Sequence, residues 1–192
     1  MTAPHPMPPP AVLETPRLVL RPVRRKDIPV IQHRFPHWEI VQYLDVGIPW
    51  PYPADGAALY VETCLAEMQR GEKAHWALIP KSGPVDLIGM ISLWPDDGVS
   101  RNQRGFWLAR EFQRRGLMSE AAERVTAYAF CDLGWPELWF ANAQENYGSR
   151  RIKEKQGARL VDLMIGRFVS GPGPQMVWHL LRENWVARQA AQ

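Results

Sequence analysis

The sequence is poor in the residues that define disulfide-rich and metal-clustered proteins. Only two cysteines occur among 192 residues, Cys64 and Cys131, and they form no CxxC pair. A disulfide scaffold is therefore excluded. Both thiols lie in apolar helical patterns, which predict buried and inert side chains. This cysteine usage favours a reducing, cytoplasmic location.

Long apolar runs and dense basic tracts are also missing. No run of about 18 apolar residues is present, so we expect no membrane-spanning helix. The N-terminus has no charged segment followed by an apolar stretch, so we expect no secretory signal. The net charge of +3 and the pI near 9.0 suit either a mildly basic protein or one that binds a polyanion, such as nucleic acid or a nucleotide-bearing cofactor. Without a Lys/Arg-rich tract, nucleic acid is not an expected partner.

What remains is the composition of an ordinary globular protein. Hydrophobic residues make up 46% and charged residues 22% of the chain, and this length suits a single domain. Residues 1–12 contain five prolines and predict a disordered leader. We place the single domain at 13–186 and a frayed tail at 187–192.

Hydrophobic periodicity predicts strands that alternate irregularly with helices. The expected fold class is α/β (α+β), with one mixed, mostly antiparallel sheet of about seven strands flanked by helices. Predicted strands cover 17–23, 75–79, 87–94, 101–109, 138–141, 158–169 and 175–182, with a turn at 171–174. Predicted helices cover 27–34, 38–44, 55–71, 116–133 and 146–157.

The segment that carries chemistry is RGFWLAREFQRRGLMSE, residues 104–120. A strand ends near Ala109, a short loop holds Arg114 and Arg115, and a helix begins at Gly116. Backbone N–H groups at a helix start lack partners within the helix and can hold a diphosphate. Gly116 permits close approach of a ligand, and the two arginines can add charged contacts to phosphate.

This segment resembles the central motif of the GNAT superfamily of N-acetyltransferases, (Q/R)xxGx(G/A). Gln113 and Gly116 match that motif, whereas Met118 departs from it at the last position. The resemblance is closest to the branch of ribosomal-protein N-terminal alanine acetyltransferases. It covers about 14–185, because four other segments resemble that branch in the same order: residues 15–21, 87–93, 146–151 and 178–185.

The resemblance implies acetyl-CoA as the acyl donor and assigns residues to it. In such proteins two neighbouring strands splay apart and the pantetheine arm lies between them. The implied cofactor contacts are Phe106, Trp107, Leu108, Gln113, Arg114, Arg115, Gly116, Leu117, Met118, Ser119 and Asn146, the first three through main-chain groups. Ser149 lies where some relatives place a group near the leaving thiolate. Asn146 and Ser149 are therefore the candidate catalytic residues, although a serine at this point of a helix is also a common backbone partner.

The chain departs from the wider family at two positions that matter for proton transfer. Many members carry a tyrosine seven residues after the asparagine as the general acid, and here that position is Lys153. Relatives often carry a glutamate near the start of the fourth strand, and here that position is Gln103. A non-catalytic acyl-CoA-binding or sensing module on the same fold therefore remains the alternative function.

The acceptor is expected to be a primary amine, either a protein N-terminus or a small molecule. Trp38, Trp50 and Tyr52 flank a proline-rich loop and are predicted to form the acceptor pocket, or else to pack beneath that loop. For the amine, Glu39 and Asp45 are equal candidates as ligands, and His75 is either a water-linked base or a packed histidine. His33 and His37 lack further ligands, so no metal is expected. The resemblance allows a monomer or a homodimer.

Overall fold

A computed structural model describes residues 6–191 of the chain. Its strands are β1 (Leu13–Glu14), β2 (Leu18–Pro22), β3 (Ala74–Pro80), β4 (Gly89–Leu93), β5 (Arg104–Leu108), β6 (Glu137–Ala143), β7 (Arg159–Phe168) and β8 (Gly171–Leu181). Its helices are α1 (Ile28–Arg34), α2 (Trp38–Val41), α3 (Gly56–Gln69), α4 (Leu117–Ala127), α5 (Tyr147–Gln156) and α6 (Arg182–Ala190). Over residues 6–191, no helix is long and apolar enough to cross a membrane.

The strands form two antiparallel sheets rather than one. The first has the order β1-β2-β3-β4-β5 and the second the order β6-β8-β7. Both β5 and β6 are therefore edge strands. The predicted α/β architecture is confirmed, and the predicted single sheet is divided between β5 and β6.

Alternating side chains on the first sheet build two apolar cores, one on each face. Trp76 and Leu78 of β3 point to the face covered by α4, where the larger core also holds Phe130 and Phe140. Ala77 of β3 points to the opposite face, which α1 and α3 cover. This alternation assigns every β3, β4 and β5 side chain to one of two compartments.

One predicted turn is wrong. Residues 171–174 belong to β8, and Pro172 and Pro174 pair with Arg167 and Ile165 of β7. Proline cannot donate to a strand ladder, but it is tolerated at a free strand edge. The register of β6 with β8 begins only at Gln175, so the prolines lie where β8 has a neighbour on one side.

Both ends of the described residues contact the domain or continue its secondary structure. Met7 is buried, and its N–H donates to the carbonyl oxygen of Gly71 at 2.7 Å. Trp76 Nε1 donates to the carbonyl oxygen of Ala11. Residues 6–12 thus pack on the domain, whereas residues 1–5 of the predicted leader lie outside the described part. At the other end, α6 continues as a helix to Ala190.

Candidate functional site

A cleft of about 610 Å³ opens between β5 and β6. The sheets meet at the start of β5, where the Gln103 N–H donates to the carbonyl oxygen of Trp139 at 2.9 Å. The Gln103 side-chain oxygen in turn accepts from the Trp139 N–H. Beyond this point β5 and β6 do not pair, and the cleft lies between them. Its volume is typical of small-molecule binding sites.

Five of the fifteen residues predicted for the site line this cleft, and the residues of the turn before α4 are not among them. The five are Tyr52, Phe106, Trp107, Asn146 and Ser149. The indole Nε1 of Trp107 is buried and has no hydrogen-bond partner among the described residues. A buried donor without a partner is costly, so this group suits a ligand acceptor atom. Leu108 is buried, and it can act on the cleft only through its main chain.

The turn before α4 lies at the end of β5 and presents backbone rather than side chains. Gly116, the residue before the helix, has a φ of 78°, and Arg114 has a φ of 60°. Among the described residues, no side chain caps the first turn of α4. The side chains of Leu117 and Met118 point into the core, which leaves their amides for an anion. Gln113 Nε2 donates to the Leu108 carbonyl oxygen at 2.9 Å and so fixes the turn to β5.

The N-terminal segment holds this turn from the other side. Arg17 donates from Nε to Glu120 Oε2 at 2.6 Å and from Nη1 to the Arg115 carbonyl oxygen at 2.9 Å. Thr15 Oγ1 donates to Glu120 Oε1. Burial raises the pKa of Glu120, but these hydrogen bonds outweigh burial and lower it. Glu120 is therefore committed to an anchoring role.

Ser149 and Lys153 form a buried pair on α5. The Lys153 ammonium donates to Ser149 Oγ at 2.7 Å, and both side chains line the cleft. The backbone N–H of Ser149 is bound by Asn146 Oδ1 at 3.0 Å, which starts the helix. Burial, reinforced by the nearby Arg104 charge, lowers the pKa of Lys153 well below its usual value.

The polar residues Lys153 and Gln156 lie on the buried side of α5. Both side chains are only 2% exposed. Gln156 accepts from Arg104 Nη2 at 2.8 Å and donates to Thr126 Oγ1 at 2.9 Å. Arg104 also donates to Thr126, and burial lowers its pKa to about 9 against the opposing charge of Glu123. Hydrogen bonds replace leucine contacts here, joining β5, α4 and α5.

At the other end, the loop after α2 and the β7–β8 hairpin form the mouth of the cleft. Val46 N–H donates to the Arg167 carbonyl oxygen, and Asp45 bridges to Phe168. Tyr52 lines this mouth, and its ring meets Phe35 edge-on at 5.2 Å. Burial raises the pKa of Tyr52 to about 12, so it is a neutral wall.

Two of the predicted acceptor-pocket residues lie away from this mouth. Trp38 and Trp50 contact each other with ring centroids 5.6 Å apart, are each 42% exposed, and do not line the cleft. Of the two carboxylates left open, Asp45 lines the cleft, whereas Glu39 binds Arg110 at 3.0 Å. Of the two, only Asp45 lies where a ligand in the cleft could reach it.

A histidine site that the sequence left undecided lies on the α3 face of the first sheet. His75 contacts Ser92 Oγ through Nδ1 at 2.7 Å and Glu67 Oε2 through Nε2 at 2.8 Å. All three residues line the cleft. Only His75 was singled out in the sequence, because the link to Ser92 depends on the register of β3 with β4. Over residues 6–191, no group of three or more His, Cys, Asp or Glu side chains is placed to hold a metal ion.

The site fits a coenzyme A thioester on three structural features. The amides at the start of α4 suit a pyrophosphate, and the split between β5 and β6 has room for an extended arm. Trp107, whose indole Nε1 has no partner among the described residues, lines the same cleft. Asn146 stands at the far wall, at the start of α5.

Comparison with known proteins identifies relatives along most of the chain. Residues 17–159 match the acetyltransferase (GNAT) domain family. YdaF of Bacillus subtilis, provisionally described as a ribosomal N-acetyltransferase, is 32% identical over 102 residues. That match covers 52% of this chain and 56% of YdaF, so the chain spans little more than half of that relative. The uncharacterized N-acetyltransferase YoaA of the same organism is 27% identical over 147 residues, covering 76% of this chain and 81% of YoaA.

Solved structures show the same fold at low sequence identity. RimL, a ribosomal L7/L12 alpha-N-protein acetyltransferase solved in complex with coenzyme A, superposes with a TM-score of 0.75 at 15% identity. That superposition covers 89% of this chain and 98% of RimL. Together with the domain match over residues 17–159, these likenesses lead to one conclusion: the chain belongs to the GNAT acetyltransferase family.

Proposed function

We propose that the protein is an acetyl-CoA-dependent N-acetyltransferase that acts on a primary amine. The observation that carries this proposal is the uncapped start of α4, set at the end of edge strand β5 beside the cleft. A strand–turn–helix junction with no ligand-binding role would not need a ligand-sized cleft between two sheets beside it. Family membership supports the same reading.

The donor would lie along the outer edge of β5. Amides of residues 114–119 would hold its pyrophosphate, with Arg114 and Arg115 exposed to add charge. Main-chain groups of Phe106 and Leu108 would hold the pantetheine arm, because alternate peptide groups of β5 face its outer edge, whereas those of Trp107 pair with Met90 of β4. Asn146 would contact the same arm from α5.

Most of the rate enhancement would come from holding the amine and the thioester in line, with few protein groups taking part in the chemistry. The neutral amine attacks the thioester carbonyl carbon, and a main-chain amide near Leu108 stabilises the oxyanion. As the carbon–sulfur bond breaks, the sulfur takes the Ser149 hydroxyl proton, which Lys153 replaces. The lowered pKa of the buried Lys153 brings this acid closer to neutral pH. Lys153 thus stands in for the tyrosine of the wider family.

For the acceptor we propose the N-terminus of a protein, with a small amine as the other candidate. RimL is a protein alpha-N-acetyltransferase by name, and YdaF carries a provisional description as a ribosomal N-acetyltransferase. The mouth of the cleft supports this choice, since its walls at Ile48, Tyr52 and Phe168 are apolar. Asp45 at the same mouth can attract an ammonium group before it enters.

Calorimetry and a thiol-release assay test the function in sequence. We expect coenzyme A to bind, and acetyl-CoA to release thiol only when an amine is present. The amine panel should include peptides with free N-termini, the same peptides blocked at the N-terminus, and polyamines. Binding without turnover across this panel would favour the sensing module instead. Failure to bind coenzyme A at millimolar concentration would overturn both functions.

Replacing Ser149 by Ala tests the proposed acid. We expect kcat to fall about 100-fold, while the affinity for coenzyme A changes little, because the thiolate leaves with less help from a proton. Ser82→Ala, in an exposed turn, is the matched control. Equal kcat values for the two variants would remove Ser149 from the mechanism.

A further inference from the structure

A polar row crosses the α3 face of the first sheet at the level of the cleft. His75 of β3 pairs with Ser92 of β4, which pairs with Gly105 of β5. Their neighbours two residues away, Ala77, Met90 and Trp107, belong to the apolar core beneath α1 and α3. The sheet thus carries apolar side chains at one level of this face and hydrogen-bonding groups at the next.

The hydrogen bonds in this row assign the proton positions. Burial raises the pKa of Glu67, but hydrogen bonds from His75 and Lys73 outweigh burial and lower it to about 2. Glu67 is therefore a carboxylate and only accepts hydrogen bonds. A neutral His75 must then carry its proton on Nε2, facing Glu67 at 2.8 Å. Its Nδ1 is the acceptor, and the Ser92 hydroxyl donates to it at 2.7 Å.

The row is buried and yet reaches the cleft. His75 is 4% and Ser92 7% exposed, and both line the cleft together with Glu67. Gly105, the last member of the row, has no side chain to cover Ser92. A Cβ at Gly105 would lie 3.3 Å from the Trp94 ring, which closes the far side. Ser92 lines the cleft together with the Tyr60 side chain, which lies beside it.

We propose that Glu67, His75 and Ser92 form a relay that accepts the proton of the acceptor amine. This inference rests on the proposed acetyltransferase function and supplies the base that Gln103 cannot provide. Ser92 is the member that meets the amine, whereas His75 and Glu67 act through it as positioning residues. The relay stands on the α3 face of the first sheet, while the acid pair of Ser149 and Lys153 lies on α5.

The proton transfers balance. As the amine nitrogen bonds to the carbonyl carbon, its proton passes to Ser92 Oγ while the Ser92 proton passes to His75 Nδ1. His75 becomes an imidazolium that the Glu67 carboxylate stabilises. The carbon–sulfur bond breaks, and the departing sulfur takes its proton from Ser149. His75 then returns its proton to solvent through the open cleft.

Few groups beside the relay change charge near neutral pH. Burial raises the pKa of Tyr60 well above its usual value and that of Cys64 to about 12, and both lie on α3. Lys73 binds the second oxygen of Glu67 at 2.8 Å. Charged side chains elsewhere around the cleft are Asp45, Arg104, Lys153 and Arg167.

The test compares two histidines that make the same pair. His75→Gln removes the relay, and His179→Gln removes a His–Glu pair of equal length, 2.8 Å to Glu137, outside the cleft. We expect His75→Gln to lower kcat about 100-fold with an unchanged coenzyme A affinity, and His179→Gln to leave kcat within twofold. Ser92→Ala, which deletes one hydroxyl, should behave as His75→Gln does.

A pH profile separates proton acceptance from structural support. The kcat of the wild-type protein should fall toward acid pH, at a position that stays fixed when acceptors of different basicity are used. His75→Gln should lose this limb, and imidazole added to His75→Ala should restore part of the rate. Retention of the limb in both His75→Gln and Ser92→Ala would overturn the relay while leaving the acetyltransferase function intact. Coenzyme A binding without amine acetylation by the wild-type protein would overturn both.

Discussion

Lys153 is a buried amine inside the candidate site. A primary amine at 2% exposure, without a carboxylate partner and near the Arg104 guanidinium, is unfavourable in its charged form. Burying such a residue lowers the free energy of unfolding, so its presence calls for a functional reason. Its hydrogen bond to Ser149, inside the cleft, supplies one.

The cost of this amine can be measured with Lys153→Met. The pKa of Lys153 is lowered on folding, so the unfolded chain binds more protons between that value and 10.5. Stability of the wild-type protein therefore rises with pH across this window, by about 1.4 kcal/mol for each unit by which the pKa is lowered. We expect Lys153→Met to be more stable than wild type at the acid end of the window and to lose this advantage as pH approaches 10.5.

Denaturant unfolding at several pH values checks this expectation. Lys155→Met is the control, because Lys155 is exposed on the same helix. If Lys153→Met follows the wild-type pH dependence, then Lys153 does not change protonation on folding. Turnover of Lys153→Met should fall in any case, since Ser149 then lacks its proton source.

Sequence reasoning reached some of these residues and missed others for a physical reason. Ser149 and Lys153 are four residues apart on one helix, which is a spacing that sequence alone shows. Lys153 departs from the family because it occupies the position of the tyrosine, and its burial cannot be inferred from spacing. Glu67, His75 and Ser92 come from three elements, and their meeting depends on strand register, which no local pattern specified.

At the scale of elements, the turn between β5 and α4 holds two residues at positive φ, Arg114 and Gly116. Gly116 has a φ of 78°, yet a Cβ there would lie 3.4 Å from Arg17 Nη2, an ordinary contact. A side chain at this position would therefore strain the backbone and obstruct the ligand, without clashing with the rest of the protein. Gly134 offers a matched position, with a φ of 71° and nothing within 4 Å of its Cβ site.

Valine at these two glycines should separate strain from binding. We expect Gly116→Val and Gly134→Val each to lose about 1–3 kcal/mol of unfolding free energy, because a β-branched residue is unfavourable at positive φ. Only Gly116→Val should lose coenzyme A binding in calorimetry. Unchanged affinity in Gly116→Val would move the pyrophosphate site away from the start of α4.

Elements were easier to predict than the points where they join. The strand–helix order was readable from periodicity, and Gly157 ends α5 with a φ of 81°, as predicted. The run Gly171-Pro172-Gly173-Pro174 has the composition of a turn but forms strand, because its pairing with β7 outweighs local preference. Pro172 and Pro174 are accommodated only because β6 does not reach that far.

At the scale of the whole molecule, the main difference from expectation is the division of the sheet. Periodicity gives the strands and their number to within one, but it cannot show that β5 and β6 part after Gln103. The Gln103 side chain accepts from the Trp139 N–H at the last point where the two sheets meet, and the buried bond from Arg104 to Gln156 ties α5 to β5 beside the cleft. The resemblance to a family implied the gap; the residue-level pattern did not.

The clamp between Arg17 and the turn before α4 couples the start of the chain to the donor site. Arg17 binds the Arg115 carbonyl and Glu120, and the strand that follows it, β2, pairs with β3. Ligand binding at the turn and the hydrogen bonds of Arg17 are thermodynamically coupled. The ligand stabilises these hydrogen bonds by the same free energy by which they increase the affinity for the ligand. A nucleotide-bearing ligand bound at the turn should then slow proteolysis near residues 13–17, although it does not contact the bond that is cut.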